Sequence, residues 1–210
     1  MYNDHAIKCQ RFAKKDDDCM MLVILMVALS IKQPWDKVGI MLEDVMLNGI
    51  SSRFLNWKMK QDTYNYLLDN KDNLYKDVMF IMSCHVPTDE QKAFQLMKIF
   101  LRIPGIGISK AGFCCQLIAG LVGCMDSWNI KYYKINPNTL DYNKGVKTDR
   151  GRKNNDKKIT DYITVCHDIG TSRLWDTWCN MIATAYGQWS DGNAVSKAHI
   201  DYLLNAFVSK

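Results

Sequence analysis

The chain has 210 residues, of which 48% are hydrophobic and 23% are charged. This length gives ample material for a buried core and excludes the class of proteins that are too small to fold alone. It indicates one domain, or two tightly packed lobes. There are only 12 glycines and 4 prolines, and no long alternating pattern typical of strands is present. We therefore predict an all-α fold over residues 1–210.

The most apolar run lies near the N-terminus, at residues 19–29. About eleven residues are too few to cross a bilayer. Acidic residues precede the run and no small-residue cleavage site follows it, which argues against a signal peptide. We predict a buried core helix here and no membrane partner.

Helical periodicity then recurs at about residues 38–48, 53–69 and 74–84. Trp57 lies in the second of these segments. Aromatic faces suit stacking on a displaced base, so Trp57 is a candidate for a base pocket. The alternative is that it packs in the core.

A turn rich in glycine separates the next two predicted helices. Thr88 and Gln91 have the spacing of a capping box at the start of the first helix. Pro104, Gly105, Ile106 and Gly107 cannot easily continue it, and Ser109 is a good N-cap for the second. The amides of such a turn approach an anion closely, and phosphate is the natural one.

A strongly basic segment follows at residues 131–158. It holds nine lysines and arginines against three aspartates, a surplus that exceeds the net charge of +5 of the whole chain. Its turn-forming residues predict an exposed loop. Arg150, Arg152 and Lys153 are candidates for phosphate contacts, although a solvated insertion would have the same composition.

Three more helices are predicted, at about residues 159–167, 171–186 and 193–208. Ser196 and His199 share a face of the last, but they have no carboxylate in a triad arrangement, so we do not expect a serine hydrolase. The eight cysteines lack a zinc spacing, so no metal is expected. Apolar neighbours around Cys114, Cys115 and Cys124 predict buried, reduced thiols. A reducing cytoplasm fits them best.

The segment from Ile103 to Asn129 resembles the helix-hairpin-helix of the base-excision DNA glycosylases. Ile103 to Gly107 match the hairpin and Ala111 matches the small residue after it. Ser109 falls at the position that decides the mechanism, and Asp126 lies seventeen residues later, where the family has its catalytic aspartate. Trp128 replaces the histidine of many members.

This resemblance implies a two-lobed helical glycosylase-like fold, with the helix-hairpin-helix at about 88–123, in a divergent, bacteriophage-type branch of the superfamily. Double-stranded DNA is the implied partner, gripped by Pro104, Gly105, Ile106, Gly107 and Lys110. The implied location is the cytoplasm, or the host cytoplasm for a viral protein. No iron-sulfur cluster is expected, because only Cys166 and Cys179 lie in the C-terminal region; a monovalent cation at the hairpin is allowed.

The implied reaction flips a base and hydrolyses its N-glycosidic bond, with Asp126 stabilising the sugar cation. Bifunctional members carry a lysine at the position of Ser109, so serine implies a monofunctional enzyme. Lys110 is one residue late, about 100° around a helix; a shift of one residue in the match would make it the nucleophile. Trp128 and Asn129 are further candidates for the base pocket.

Three alternatives stay open. Asp126 is also in a position to cap a helix and nothing more. The same fold resembles phage enzymes that attach amino acids or polyamines to an activated thymine. A non-enzymatic helix-hairpin-helix module that binds DNA is the third. The sequence leaves the recognised base and the oligomeric state open.

Overall fold

The computed structural model describes residues 2–33, 37–85 and 87–186, with side chains for 5–33, 37–85 and 87–178. Every regular element in this part of the chain is a helix, so the all-α prediction is confirmed. The α-helices are α1 (Tyr2–Ala13), α2 (Asp17–Leu29), α3 (Val38–Asn48), α4 (Lys58–Ser83), α5 (Asp89–Leu101), α6 (Ile108–Ile118), α7 (Ser127–Tyr132), α8 (Asp149–Ile169) and α9 (Thr171–Tyr186). Short 3-10 helices lie at Gly49–Ser51, Arg53–Leu55 and Pro137–Leu140.

Helix α2 forms the centre of the fold. Asp16 caps its first turn by accepting the backbone N–H of Cys19 at 2.7 Å. Ten of its thirteen residues are buried, because α1, α3, α4 and α6 all pack against it. The prediction of a buried core helix is confirmed. No helix in the described ranges is long and apolar enough to span a membrane.

The two helices around the glycine-rich turn form as predicted, with one correction. Thr88 and Gln91 make both hydrogen bonds of a capping box at the start of α5. Helix α6, however, has Gly107 as its N-cap, so Ser109 is not the cap but the second residue of the helix. Helix α6 therefore begins at Ile108, before the position that a cap at Ser109 would require.

Two other boundaries differ from the predictions. The expected helices at 53–69 and 74–84 are one continuous helix, α4, because Asn70 to Asn73 contain neither glycine nor proline. The expected basic loop at 131–158 is helical at both ends. Thr148 caps α8 by accepting the N–H of Gly151, so Arg150, Arg152 and Lys153 lie on a helix rather than on a loop.

Helix α9 packs against α1, α7 and α8. Buried apolar side chains form one continuous cluster across the described residues. The division of the chain into two lobes stays a prediction. The predicted helix at 193–208, with Ser196 and His199, lies outside the described residues.

Candidate functional site

The hairpin turn, residues 103–107, is a tight turn fixed by both neighbouring helices. The backbone N–H of Ile106 donates to the carbonyl of Ile103 at 3.2 Å, and Gly105 has φ +76°, a conformation that suits glycine. A Cβ on Gly105 would lie 2.8 Å from the side chains of Met59 and Thr63. Glycine at this position therefore allows α4 to pack against the turn.

Gly107 differs from Gly105 in being exposed. A Cβ added there would meet nothing within 4 Å. No side chain caps the first turn of α6, so its first amide groups have no side-chain acceptor. The first turn of α6 therefore lacks a side-chain cap, and the binding of an anion there stays a prediction.

The carbonyl groups of the turn already have donors. The Thr63 hydroxyl donates to the carbonyl of Pro104 at 2.7 Å. The Lys144 ammonium donates to the carbonyl of Ile103 at 2.7 Å. A monovalent cation at these oxygens, which the resemblance allows, would compete with both. Among the described residues, no group of histidine, cysteine and carboxylate side chains has an arrangement that would hold a metal ion.

Lys144 also joins the basic segment to the hairpin. A second link lies nearby, where Lys98 of α5 pairs with Asp156 of α8 at 3.1 Å. Arg150, Arg152 and Lys153 are exposed. Arg152 is engaged with the carbonyl of Lys147 and the carboxylate of Asp149, whereas Arg150 and Lys153 have no hydrogen bond or ion pair within the described part of the chain.

Asp126 is the N-cap of α7, which is the predicted alternative to a catalytic role. Its carboxylate accepts the backbone N–H groups of Trp128 at 3.0 Å and Asn129 at 2.9 Å, and both bonds end on Oδ1. The other oxygen, Oδ2, takes part in neither bond. Capping itself therefore uses one carboxylate oxygen, and the Trp178 side chain also donates a hydrogen bond to the carboxylate.

The surroundings of Asp126 act on its pKa in opposite directions. Partial burial raises the pKa above its ordinary value of 3.8, and this is the largest effect. The two N–H groups, the positive charge of Lys110 and a hydrogen bond from the Trp178 side chain all lower it. The carboxylate is thus partly withdrawn from water beside a cation and an aromatic ring.

The structure brings the predicted catalytic residues together. The Ser109 hydroxyl lies 3.8 Å from the thiol of Cys124, two residues before Asp126. The Lys110 ammonium donates to the Ser30 hydroxyl at 2.9 Å and lies 5.3 Å from the ring centre of Phe113. We call Ser109, Lys110, Phe113, Cys124, Asp126 and Trp178 the Asp126 site.

Buried side chains fix the segment that carries Asp126. Gln116 accepts the N–H of Cys124 at 3.0 Å, and the Tyr162 hydroxyl accepts the N–H of Met125 at 2.7 Å while donating to the carbonyl of Gly123 at 2.9 Å. Tyr162 reaches this position only because residue 112 is glycine; a Cβ there would lie 2.2 Å from its hydroxyl.

Asn129 was a predicted base-pocket residue, and the structure assigns it a different role. Its side chain is 0% exposed, and its NH₂ group donates to the carbonyl of Cys124 at 2.9 Å. It holds the Asp126 segment in place. Trp128 is half-buried and Trp57 is 44% exposed, so both keep surface for contact.

The local sequence patterns do not single out Gln116, Lys144, Tyr162 or Trp178 as site residues. These residues reach the site through long-range packing, for which a single sequence carries no local signal. An aromatic cluster lies behind the carboxylate, where Phe113 and Trp178 have ring centres 6.2 Å apart and Trp175 and Trp178 5.6 Å apart.

Comparison of the chain with protein-family models, with curated proteins and with solved structures finds no match. The functional argument therefore depends on the residues and geometry of the chain itself.

Proposed function

We propose that the protein is a DNA-binding enzyme of the glycosylase type, which takes a base out of the duplex and hydrolyses its N-glycosidic bond. The observation that carries this proposal is the geometry of Asp126. Its carboxylate is oriented through one oxygen, is partly buried, and lies beside the helix that follows an open, glycine-rich turn.

The chemistry requires a fixed negative charge near the sugar. As the glycosidic bond lengthens, positive charge develops on the sugar, and a carboxylate already held in place stabilises it without reorganising. The same carboxylate can orient or deprotonate the attacking water. Gln116, Tyr162 and Asn129 hold the backbone on which Asp126 lies, and this rigid support suits such a task.

Binding to DNA is supported by the position of the basic segment. The bond from Lys144 to Ile103 and the ion pair from Lys98 to Asp156 join this segment to the hairpin turn and to α5. Helix α5 also packs against both α6 and α8, so the start of α6 and the basic residues of α8 belong to one packed unit. Phosphates are the anions for which both features are suited.

A hydrolytic, monofunctional reaction is favoured over attack by an amine. Ser109 occupies the position next to Cys124, and the Lys110 ammonium is engaged by Ser30. Lys110 acts on Asp126 through its charge, by lowering the pKa of the carboxylate. We therefore assign Lys110 the role of a positive charge beside Asp126, and we assign water the role of the nucleophile.

The test is mass spectrometry of duplexes that contain normal, damaged or hydroxymethylated bases, after incubation with the protein. Release of a free base supports the proposal and identifies the substrate. A retained base of increased mass would instead indicate the base-modifying alternative. Tight, salt-sensitive binding with neither product would indicate the non-enzymatic DNA-binding module.

A further inference from the structure

Trp57 lies at the start of α4 with a large exposed surface and two cations beside it. It is the N-cap residue of that helix and is 44% exposed. The Lys32 and Lys60 ammonium groups lie 5.5 Å and 5.9 Å from the centre of its ring. Both distances are within the range of cation–π contacts.

Three lysines converge at the end of α2. Lys60 is buried and donates to the carbonyl of Leu29 at 3.1 Å, Lys110 donates to the Ser30 hydroxyl at 2.9 Å, and Lys32 follows two residues later. No carboxylate in the described part of the chain lies within ion-pair distance of these ammonium groups. Lys110 interacts electrostatically with the carboxylate of Asp126, whereas the partial negative charge of a helix C-terminus, about half a unit, offsets only a fraction of the positive charges of Lys32 and Lys60.

The backbone at Lys32 is also unusual. Its φ is +54°, a left-handed conformation that costs free energy for a residue with a side chain. Residues held in such conformations cluster at sites that contact ligands. The conformation places the Lys32 ammonium over the exposed ring of Trp57.

We propose that Lys32, Trp57 and Lys60 form a nucleotide subsite that binds one unpaired base and its phosphate, next to the Asp126 site. The base stacks on the indole ring, and Lys32 moves from the ring to the phosphate. Lys60 stays hydrogen-bonded to the carbonyl of Leu29 and adds positive charge beside the indole ring. The inference rests on the proposed function in one respect, which is that the ligand is a nucleic acid.

The test uses single-stranded pentathymidylate as the probe and protein labelled with ¹⁵N at tryptophan. The Trp57 indole N–H signal is assigned by its absence in Trp57→Phe. We expect this signal to shift on addition of the probe. Trp57→Leu is expected to weaken binding about tenfold, within the range known for base–aromatic stacking, and Lys32→Gln to weaken it severalfold.

Lys58→Gln is the matched control, because Lys58 is 86% exposed, lies one residue after Trp57 and pairs with Asp62; its affinity should equal that of the wild type. A Trp57 signal that does not move at saturating probe would overturn the subsite. So would equal affinities of the wild type, Trp57→Leu and Lys32→Gln, with folding of each variant checked by thermal melting.

These outcomes are separable from those of the proposed function, because the probe is not a duplex and no reaction is measured. A protein that shifts the Trp57 signal but releases no base from any duplex contradicts the proposed reaction alone. A protein that releases a base but shows no shift contradicts the subsite alone.

Discussion

Asn129 is bonded to Asp126 and to the segment before it. Its backbone N–H donates to Oδ1 of Asp126 at 2.9 Å, and its side chain donates to the carbonyl of Cys124 at 2.9 Å. One buried residue thus orients the carboxylate and fixes the chain leading to it. In this arrangement a capping role and a catalytic role for Asp126 are compatible, because capping uses a single oxygen.

The first prediction concerns the stability of Asp126→Asn. Because burial raises the folded-state pKa of Asp126 above 3.8, its contribution to stability is fully present below the unfolded pKa and is lost as pH rises through the folded pKa. Asparagine keeps an oxygen for capping and has no charge to bury. We expect the melting temperature of Asp126→Asn to rise relative to that of the wild type as the pH is raised from 4 to 7. A constant difference across this range would contradict the account.

The two glycines of the hairpin turn are predicted to behave differently. Gly105→Ala should destabilise the protein by about 1–3 kcal/mol, because it introduces strain at positive φ and crowding against α4.

Gly107→Ser should keep the stability of the wild type, since serine is a good N-cap and the space around residue 107 is open. Its hydroxyl would compete with phosphate for the amides of α6, so its affinity for duplex DNA should fall severalfold. Melting curves and fluorescence anisotropy measure the two effects; wild-type affinity of a folded Gly107→Ser would remove the turn from the DNA interface.

Lys144 is predicted to hold the basic segment against the hairpin. Burial of its amine lowers the pKa of Lys144 to about 8, so the group loses its proton between pH 7 and pH 9. A neutral amine donates a weaker hydrogen bond to the carbonyl of Ile103 than an ammonium does. We expect amide hydrogen exchange at residues 141–148 to be faster in Lys144→Met than in wild type at pH 7.

The same variant should weaken duplex affinity severalfold at pH 7, and the difference from wild type should shrink at pH 9. Lys147→Met serves as the control, since Lys147 is an exposed lysine of the same segment. Equal exchange rates in the wild type and Lys144→Met would show that the contact does not fix the segment.

The exposed cations of α8 are predicted to contribute to the salt dependence of DNA binding. Each phosphate contact adds about 0.9 to the slope of log affinity against log salt. The double variant Arg150→Gln/Lys153→Gln should lower that slope by about 2. Arg152→Gln should change it less, because Arg152 is already bonded to Lys147 and Asp149. An unchanged slope in the double variant would indicate that this end of α8 does not contact phosphates.

Local patterns in the sequence predicted much of the fold. The capping box at Thr88, the buried run of α2 and the cap at Asp126 are set by residues close in the chain, and the structure contains all three. The loop prediction was wrong at the two ends of the basic segment; at its C-terminal end, the polar composition outweighed the cap at Thr148. Contacts such as Tyr162 to Met125, which are 37 residues apart, depend on packing between helices and have no local signature.

The most direct test of the central claim compares DNA affinity and single-turnover base release for wild type, Asp126→Asn and Asp141→Asn, with the substrate identified by mass spectrometry. Asp141 is an exposed carboxylate in the basic segment and controls for loss of one negative charge. We predict unchanged affinity in both variants, normal release by Asp141→Asn, and a loss of release of at least about a hundredfold in Asp126→Asn, as for removal of one transition-state charge contact. Wild-type release by a folded Asp126→Asn would contradict the claim.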